Sequence, residues 1–209
     1  MAALGVAGTM VVLGACSDSG SEPAATTTQA GSSSSSSPAT AAAEHNDADV
    51  MFAQGMIPHH EQAVEMSDMV LGKQGIDPRV TTLANEIKAA QGPEIAQMRG
   101  WLADWGVDPS QGGMAGMPGH DMSGHGAMPG MGGDGMMSEQ DMADLQNAQG
   151  PAASRLFLTQ MIEHHRGAIV MAQNEIDTGQ FPAAVEMARS IVTSQQQEIT
   201  AMEQLLQAL

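Results

Sequence analysis

Apolar residues recur at helical spacing in four long stretches of the chain. The first stretch repeats them every three to four positions from Val50 to Leu71, and Asp47 is suited to a helix N-cap. This pattern predicts a helix from Asp47 to about Leu71. Pro58 falls inside it, and because proline removes a backbone donor, we expect it to kink the helix or to break its first turns.

The second stretch begins at Asp77 and Pro78, a suitable pair for the N-cap and first helical position. Its apolar positions continue to Leu102, which predicts a second helix antiparallel to the first. The Gly92-Pro93 pair should kink this helix.

Helical pattern resumes after Ser138, where Asp141 is suited to a capping turn. The pattern pauses at Gly150-Pro151 and then continues through a third long stretch. A last turn precedes Pro182, and the fourth stretch extends to the C-terminus. The second half of the chain therefore also predicts a helical hairpin.

The two halves are a repeat. Residues 56–66, MIPHHEQAVEM, recur as residues 161–171, MIEHHRGAIVM, and after a one-residue shortening the second hairpin continues to match the first. Two hairpins of matched pattern can bury their apolar faces only on each other. The sequence therefore predicts an all-α, ferritin-like four-helix bundle made of two repeated helical hairpins.

Two composition shifts flank these hairpins. Residues 17–46 are rich in Ser, Ala and Thr and lack the apolar surface that would offset ordering entropy, so they predict a disordered tether. Gly and Met dominate the segment between the halves, where neither helix nor strand period is present. The predicted bundle domain, residues 47–209, then has three parts: a hairpin at 47–106, a Met/Gly-rich loop at 107–137 and a hairpin at 138–209.

Residues 1–16 resemble a bacterial lipoprotein signal peptide. An apolar run ends at Cys16, the single cysteine, and polar residues follow it. Acylation of Cys16 would anchor the exported protein on the extracytoplasmic face of the cell membrane. The run has no Lys or Arg, so the usual basic start is missing, and a short apolar segment with a buried thiol is the alternative.

The net charge of the protein indicates which kinds of partner it can attract. Seven Lys and Arg residues against 24 Asp and Glu residues give a formal net charge of −17, which repels nucleic acid and attracts cations. Nineteen methionines with no tyrosine are also unusual, because methionine normally fills irregular gaps in a core. Some of that methionine needs a reason beyond packing.

The repeated motif places potential metal ligands on one helix face. At about 100° per residue, the ligand types span an arc of about 120° beside the apolar stripe, so the histidines should lie at or near the interior. Unpaired buried histidines would each cost about 1–3 kcal/mol, so partners are expected on the neighbouring helices, and Glu94 and Glu198 are the candidates for this role. The resulting candidates are Met56, His59, His60, Met66, Glu94 and Met98, with their copies Met161, His164, His165, Met171, Glu198 and Met202.

Imidazole combined with thioether favours a soft monovalent cation, Cu(I) or its analogue Ag(I). A di-iron site needs Glu-x-x-His on two helices, and residues 56, 57, 161 and 162, which precede the histidines by three, are Met or Ile. Zinc would not call for methionine. The plain alternative is a core of packing methionines with structurally paired histidines.

The loop between the halves is a second candidate for metal binding. A linker only has to span a distance, and residues 17–44 of the tether contain neither Met nor His. Oxidisable methionines in such a segment are explained if their thioethers capture Cu(I) or Ag(I). The loop ligands would be Met114, Met117, His120, Met122, His125 and Met128.

The doubled Met-x-x-His-His motif, together with Gln91-x-x-Glu94-Ile95-x-x-Met98 and its copy at residues 195–202, resembles the CopM-like family of exported bacterial proteins. That family was long filed as a domain of unknown function. The resemblance covers residues 47–209 and implies a ferritin-like bundle with a role in copper, and by analogy silver, tolerance outside the cytoplasm. The Met-rich insertion departs from it in composition, which leaves open whether bundle or loop is the main site.

Together these features predict a lipid-anchored extracytoplasmic protein that sequesters copper and passes it to a carrier or efflux partner. It is not expected to be an enzyme, because the sequence has no Ser/His/Asp order, phosphate-binding glycine loop or reactive thiol in a basic setting. Two alternatives remain. One is a copper-dependent metal oxidase, and the other is a structural bundle whose methionines are incidental.

Overall fold

The computed structural model describes residues 44–108 and 135–209, and these residues are helical apart from short connections. The helices in these ranges are α1 (Asp47–Leu71), α2 (Pro78–Asp104), α3 (Glu139–Asn147), α4 (Gly150–Thr178) and α5 (Pro182–Ala208). The predicted all-α bundle is confirmed, with α3 as a short addition to the four long helices. Cys16, the signal peptide, most of the tether and the loop ligands from Met114 to Met128 lie outside the described residues.

Local hydrogen bonds explain where the helices begin. The cap of α1 is Asn46 rather than the expected Asp47: its Oδ1 accepts from the N–H groups of Ala48 (2.9 Å) and Asp49 (3.1 Å). The Asp49 carboxylate in turn accepts from the Asn46 N–H at 2.6 Å, which completes a capping box. Ser138 and Asp141 form the same device at the start of α3.

Both helices that contain an internal proline are continuous. α1 runs through Pro58 and α2 runs through Pro93, so Pro58 does not break α1. Both prolines face solvent, while Met56, Ile57 and Ile95 beside them are buried. Tertiary packing of the apolar face thus outweighs the backbone hydrogen bond that each proline removes.

The two hairpins meet along α1 and α4, and this interface between the two helices is called the seam. The Asn46 amide donates to the carbonyl oxygen of Thr178 at 2.8 Å, which joins the start of α1 to the end of α4. The two helices are therefore antiparallel, and α3 packs against both of them. None of the helices in the described ranges is both long enough and apolar enough to cross a membrane.

The core consists of two apolar clusters. One includes Phe157 and Leu158 from α4, and the other includes Phe52 from α1 and Trp101 from α2. Along both α1 and α4, the adjacent histidines of the repeated motif separate the buried residues of one cluster from the buried residues of the other. The middle of the seam is thus polar while both flanks are apolar.

A buried carboxyl pair stabilises one end of the seam. Asp49 accepts from the N–H groups of Gln180 (3.1 Å) and Phe181 (2.8 Å) at the turn before α5. Burial and the neighbouring Asp49 raise the pKa of Glu175 to about 8. Burial also acts to raise the pKa of Asp49, but hydrogen bonds from Asn46, Glu175 and the α5 turn outweigh it and lower that pKa. The Glu175 carboxyl is therefore protonated below about pH 8, beside the ionised Asp49 carboxylate.

This pair makes stability depend on pH. Unfolded Glu175 loses its proton near pH 4.5 and folded Glu175 near pH 8, so the free energy of unfolding should fall as the pH rises between these values. Glu175→Gln keeps an amide donor and should flatten that slope. Urea denaturation across this pH range measures it. Glu186→Gln, at an exposed site on α5, should retain the wild-type slope, and equal slopes for both variants would contradict the assignment.

Candidate metal centre

Two histidines, one from each copy of the motif, face each other across the seam. The ring centroids of His59 on α1 and His164 on α4 are 3.7 Å apart, with their planes inclined by 38°. Both side chains are buried, as the helical pattern led us to expect. Ala63 and Ala168, one turn further along each helix, are also buried and leave room beside the rings.

The other histidine of each motif is hydrogen-bonded to a glutamate of its own hairpin. His60 Nε2 donates to Glu94 Oε2 at 2.7 Å, and His165 Nε2 donates to Glu198 Oε2 at 2.5 Å. Because a carboxylate only accepts, these bonds place the ring proton on Nε2 and leave Nδ1 as the lone-pair atom. Both glutamates were predicted as partners of the buried histidines and also as metal ligands, and in the structure each is hydrogen-bonded to one histidine.

His164 is a fully buried polar side chain at the seam. Within the described part of the chain, neither of its ring nitrogens has a hydrogen-bond partner, and the same is true of Nδ1 in His60 and His165. Burial lowers the pKa of His164, and the neighbouring histidines His59, His165 and His60 lower it further. The ring is therefore neutral at physiological pH. A neutral imidazole with an available lone pair is the form that binds a metal ion.

The six predicted methionines of the bundle fall into two sets. The first set packs in the cluster around Phe52 and consists of Met56, Met98 and Met171. The second set packs in the cluster around Phe157 and consists of Met66, Met161 and Met202. Each methionine of one set has its repeat equivalent in the other set. The methionines of each set come from three different helices.

The first and last methionines of each motif belong to different sets. Met56 and Met66 are ten residues apart, about 15 Å along a helix, so they cannot bind one ion together. Met66 instead shares a cluster with Met161 of the other motif. Met171 packs against α1 beside Met56, because a Cβ atom at Gly55 would lie 3.0 Å from the Met171 Cε atom. The antiparallel seam thus combines one motif's first methionine with the other motif's last.

Among the residues that the structure describes, no three His, Cys, Asp or Glu side chains are grouped to hold a metal ion. A site at the seam would need thioether ligands, and these favour Cu(I) or Ag(I).

Two buried glutamines were missing from the predicted ligands. Gln91 and Gln195 occupy equivalent positions in the repeat, three residues before Glu94 and Glu198 respectively, and both are buried. In the described residues, both amide atoms of Gln91 and the Oε1 atom of Gln195 lack a hydrogen-bond partner. Their recurrence at matched positions was the signal that could have identified them.

The glutamate contacts can be tested without metal. Glu94→Ala or Glu198→Ala removes the acceptor of a buried ring N–H and should lower the free energy of unfolding by about 1–3 kcal/mol. Glu94→Gln and Glu198→Gln keep an acceptor and should recover most of the loss. Chemical denaturation of the apoprotein measures these differences.

Matched controls lie on the same helices. Glu86 on α2 and Glu186 on α5 are exposed, and their replacement by Ala should change stability little. If Glu94→Ala is no more harmful than Glu86→Ala, the His60 contact does not stabilise the fold.

A family model for a domain of unknown function, DUF305, matches residues 49–206. No curated protein matches the chain. Among solved structures, a DUF305 protein from Streptomyces coelicolor is 32% identical, over 77% of this chain and 93% of that one, with a TM-score of 0.65. A DUF305 fragment from Deinococcus radiodurans is also 32% identical, over 78% and 98% of the two chains, with a TM-score of 0.64.

CopM is a third similar structure. Its Cu(I)-bound form is 30% identical to this chain, over 77% of this chain and 96% of CopM, with a TM-score of 0.58. CopM has also been solved in Cu(II)-bound and Ag-bound forms. Since the family model spans both copies of the motif and most of the chain, the protein belongs to the DUF305 family and is CopM-like.

Proposed function

We propose that this protein binds and sequesters copper as Cu(I), with Ag(I) as an alternative cargo, through Met and His side chains of the bundle. The observation that carries the proposal is the buried His59 and His164 pair, flanked on each side by three methionines. His164 offers unpartnered, neutral ring nitrogens within the described residues. Such donors are costly to bury unless a ligand engages them.

The donor chemistry supports a monovalent soft ion. Thioether and neutral imidazole carry no charge and need no deprotonation, so the centre adds no buried anion to balance a divalent ion. The repeat supports two equivalent positions, each combining one methionine set with the central histidines. The structures of CopM with Cu(I) and with Ag support copper and silver as the cargo of this similar chain.

Export and lipid anchoring complete the proposal. The tether and the signal sequence ending at Cys16 would place residues 47–209 on the extracytoplasmic face, and secretion has been inferred for the Streptomyces coelicolor relative. The net charge of −17 would concentrate cations near the protein. The loop from Met114 to Met128 would add weaker, interchangeable ligands. A carrier or efflux protein would receive the ion.

Sequestration is favoured over oxidation by the ligand types. An enzyme that oxidises Cu(I) must also hold Cu(II), which prefers nitrogen and oxygen donors, whereas the seam offers six thioethers. Anaerobic Cu(I) titration against a chromogenic chelator, with oxygen uptake measured in parallel, separates the two functions. Tight binding with no catalytic oxygen uptake is expected. Sustained uptake would support the oxidase, and the absence of Cu(I) and Ag(I) binding would support a structural bundle.

The bundle and the loop can be separated by mutation. Changing His59, His60, His164 and His165 together to Ala should remove the tightest Cu(I), while deletion of residues 112–134 should leave it. Competition with a Cu(I) chelator measures both. If the deletion alone removes all binding, the histidines are structural. The exposed His45 provides a control, because His45→Ala should bind as wild type does.

A second variant protects this test against misfolding. Replacing Met66, Met161 and Met202 by Leu conserves volume and should cost less than about 1.5 kcal/mol at each site. It removes every thioether of the second set, so the Cu(I) capacity of the bundle should fall by about half if each set serves one position. Unchanged capacity in a folded protein would contradict the role of these methionines.

A further inference from the structure

A short segment before α3 crosses the seam beside the histidine pair. This strap, Gly135–Met137, is fixed to α1 by paired hydrogen bonds: Gln62 Nε2 donates to the Met137 carbonyl at 2.9 Å, and the Met137 N–H donates to Gln62 Oε1 at 2.7 Å. On the other side, Gly135 packs directly on the backbone of α4. A Cβ atom there would lie 2.6 Å from the Glu163 carbonyl oxygen and 2.9 Å from Gly167.

The duplicated helices differ where they meet the strap. Gln62 and Gly167 occupy the same position of the repeat, three residues after His59 and His164 respectively. One copy supplies an amide that binds the strap, and the other lacks a side chain that would obstruct it. Residues three apart share a helix face, so the strap contacts α1 and α4 about one turn from His59 and His164.

The strap connects solvent to the second methionine set. Met137 is half-buried and packs against the cluster that contains Met66, Met161 and Met202. Met136, its neighbour, is 40% exposed. Those three methionines of the second set are fully buried, so an ion needs a path to reach them. The strap thus holds one exposed and one half-buried methionine beside the cluster that contains this set.

We infer that Met136 and Met137 form a peripheral binding position for Cu(I) or Ag(I), from which the ion passes to the second methionine set. The inference rests on the proposed function of the seam. Transfer is ligand exchange: one sulfur–metal bond forms as another breaks, and neither the metal's oxidation state nor any proton changes. Gln62 is a positioning residue, because it holds the strap and does not touch the ion.

The binding step can be observed directly with Ag(I). In the full chain labelled with [methyl-13C]Met, the Met136 signal is identified by its loss in Met136→Leu. That signal should shift at the first additions of Ag(I). Met51 on α1 is 67% exposed and serves as the matched control, whose signal should stay unshifted at those additions. If the Met136 signal behaves as the Met51 signal does, the strap position does not exist.

The transfer step is tested by the rate at which the protein takes up Cu(I). Met136→Leu should slow Cu(I) uptake from a chromogenic chelator several-fold while leaving the final capacity of the bundle unchanged. Gln62→Leu should also slow uptake, and Met51→Leu should not. Wild-type uptake by Met136→Leu would overturn the inference. If instead the methyl signals of Met66, Met161 and Met202 never respond to Ag(I) in the wild type, it is the proposed function of the seam that fails.

Discussion

The close contact between the buried rings of His59 and His164 imposes the main constraint on this bundle. Two imidazoles, 3.7 Å apart at the seam of α1 and α4, put polar atoms where a helical bundle normally places aliphatic side chains. The apolar core is divided into two clusters around them. Their neighbours His60 and His165 are each oriented by a glutamate from the adjoining helix. An arrangement that forgoes apolar packing at its centre is explained most simply if a ligand binds there.

The sequence duplication explains why the two halves of the seam carry matching side chains, and differences between the two copies explain where the halves are not alike. The repeat generates matched histidines, matched glutamates and two methionine sets that it exchanges. The copies differ at Gln62 and Gly167, and these positions receive the strap on one side of the seam only. A nearly symmetric centre can therefore have an asymmetric approach, which suits a protein that takes up an ion from one side.

Helical periodicity and the internal repeat were sufficient to predict the bundle, the starts of helices near Pro78 and Ser138, and the burial of the histidines. Other features depend on packing that a single helix does not reveal. The sequence predicted that Glu94 and Glu198 would pair with buried histidines, but spacing alone cannot show which histidine of each motif they reach. The grouping of Met66 with Met161 depends on the antiparallel register of α1 and α4. Asn46 replaced Asp47 as the cap because its side chain also reaches Thr178.

The identity of the atoms around bound copper tests the central claim most directly. X-ray absorption at the copper edge of the Cu(I)-loaded protein lacking residues 112–134 would report the scatterers at the bundle alone. A mixture of sulfur and imidazole nitrogen is predicted, because the seam offers thioethers on both sides of the histidine pair. Copper surrounded only by oxygen and nitrogen, or a bundle that retains no copper, would contradict the account.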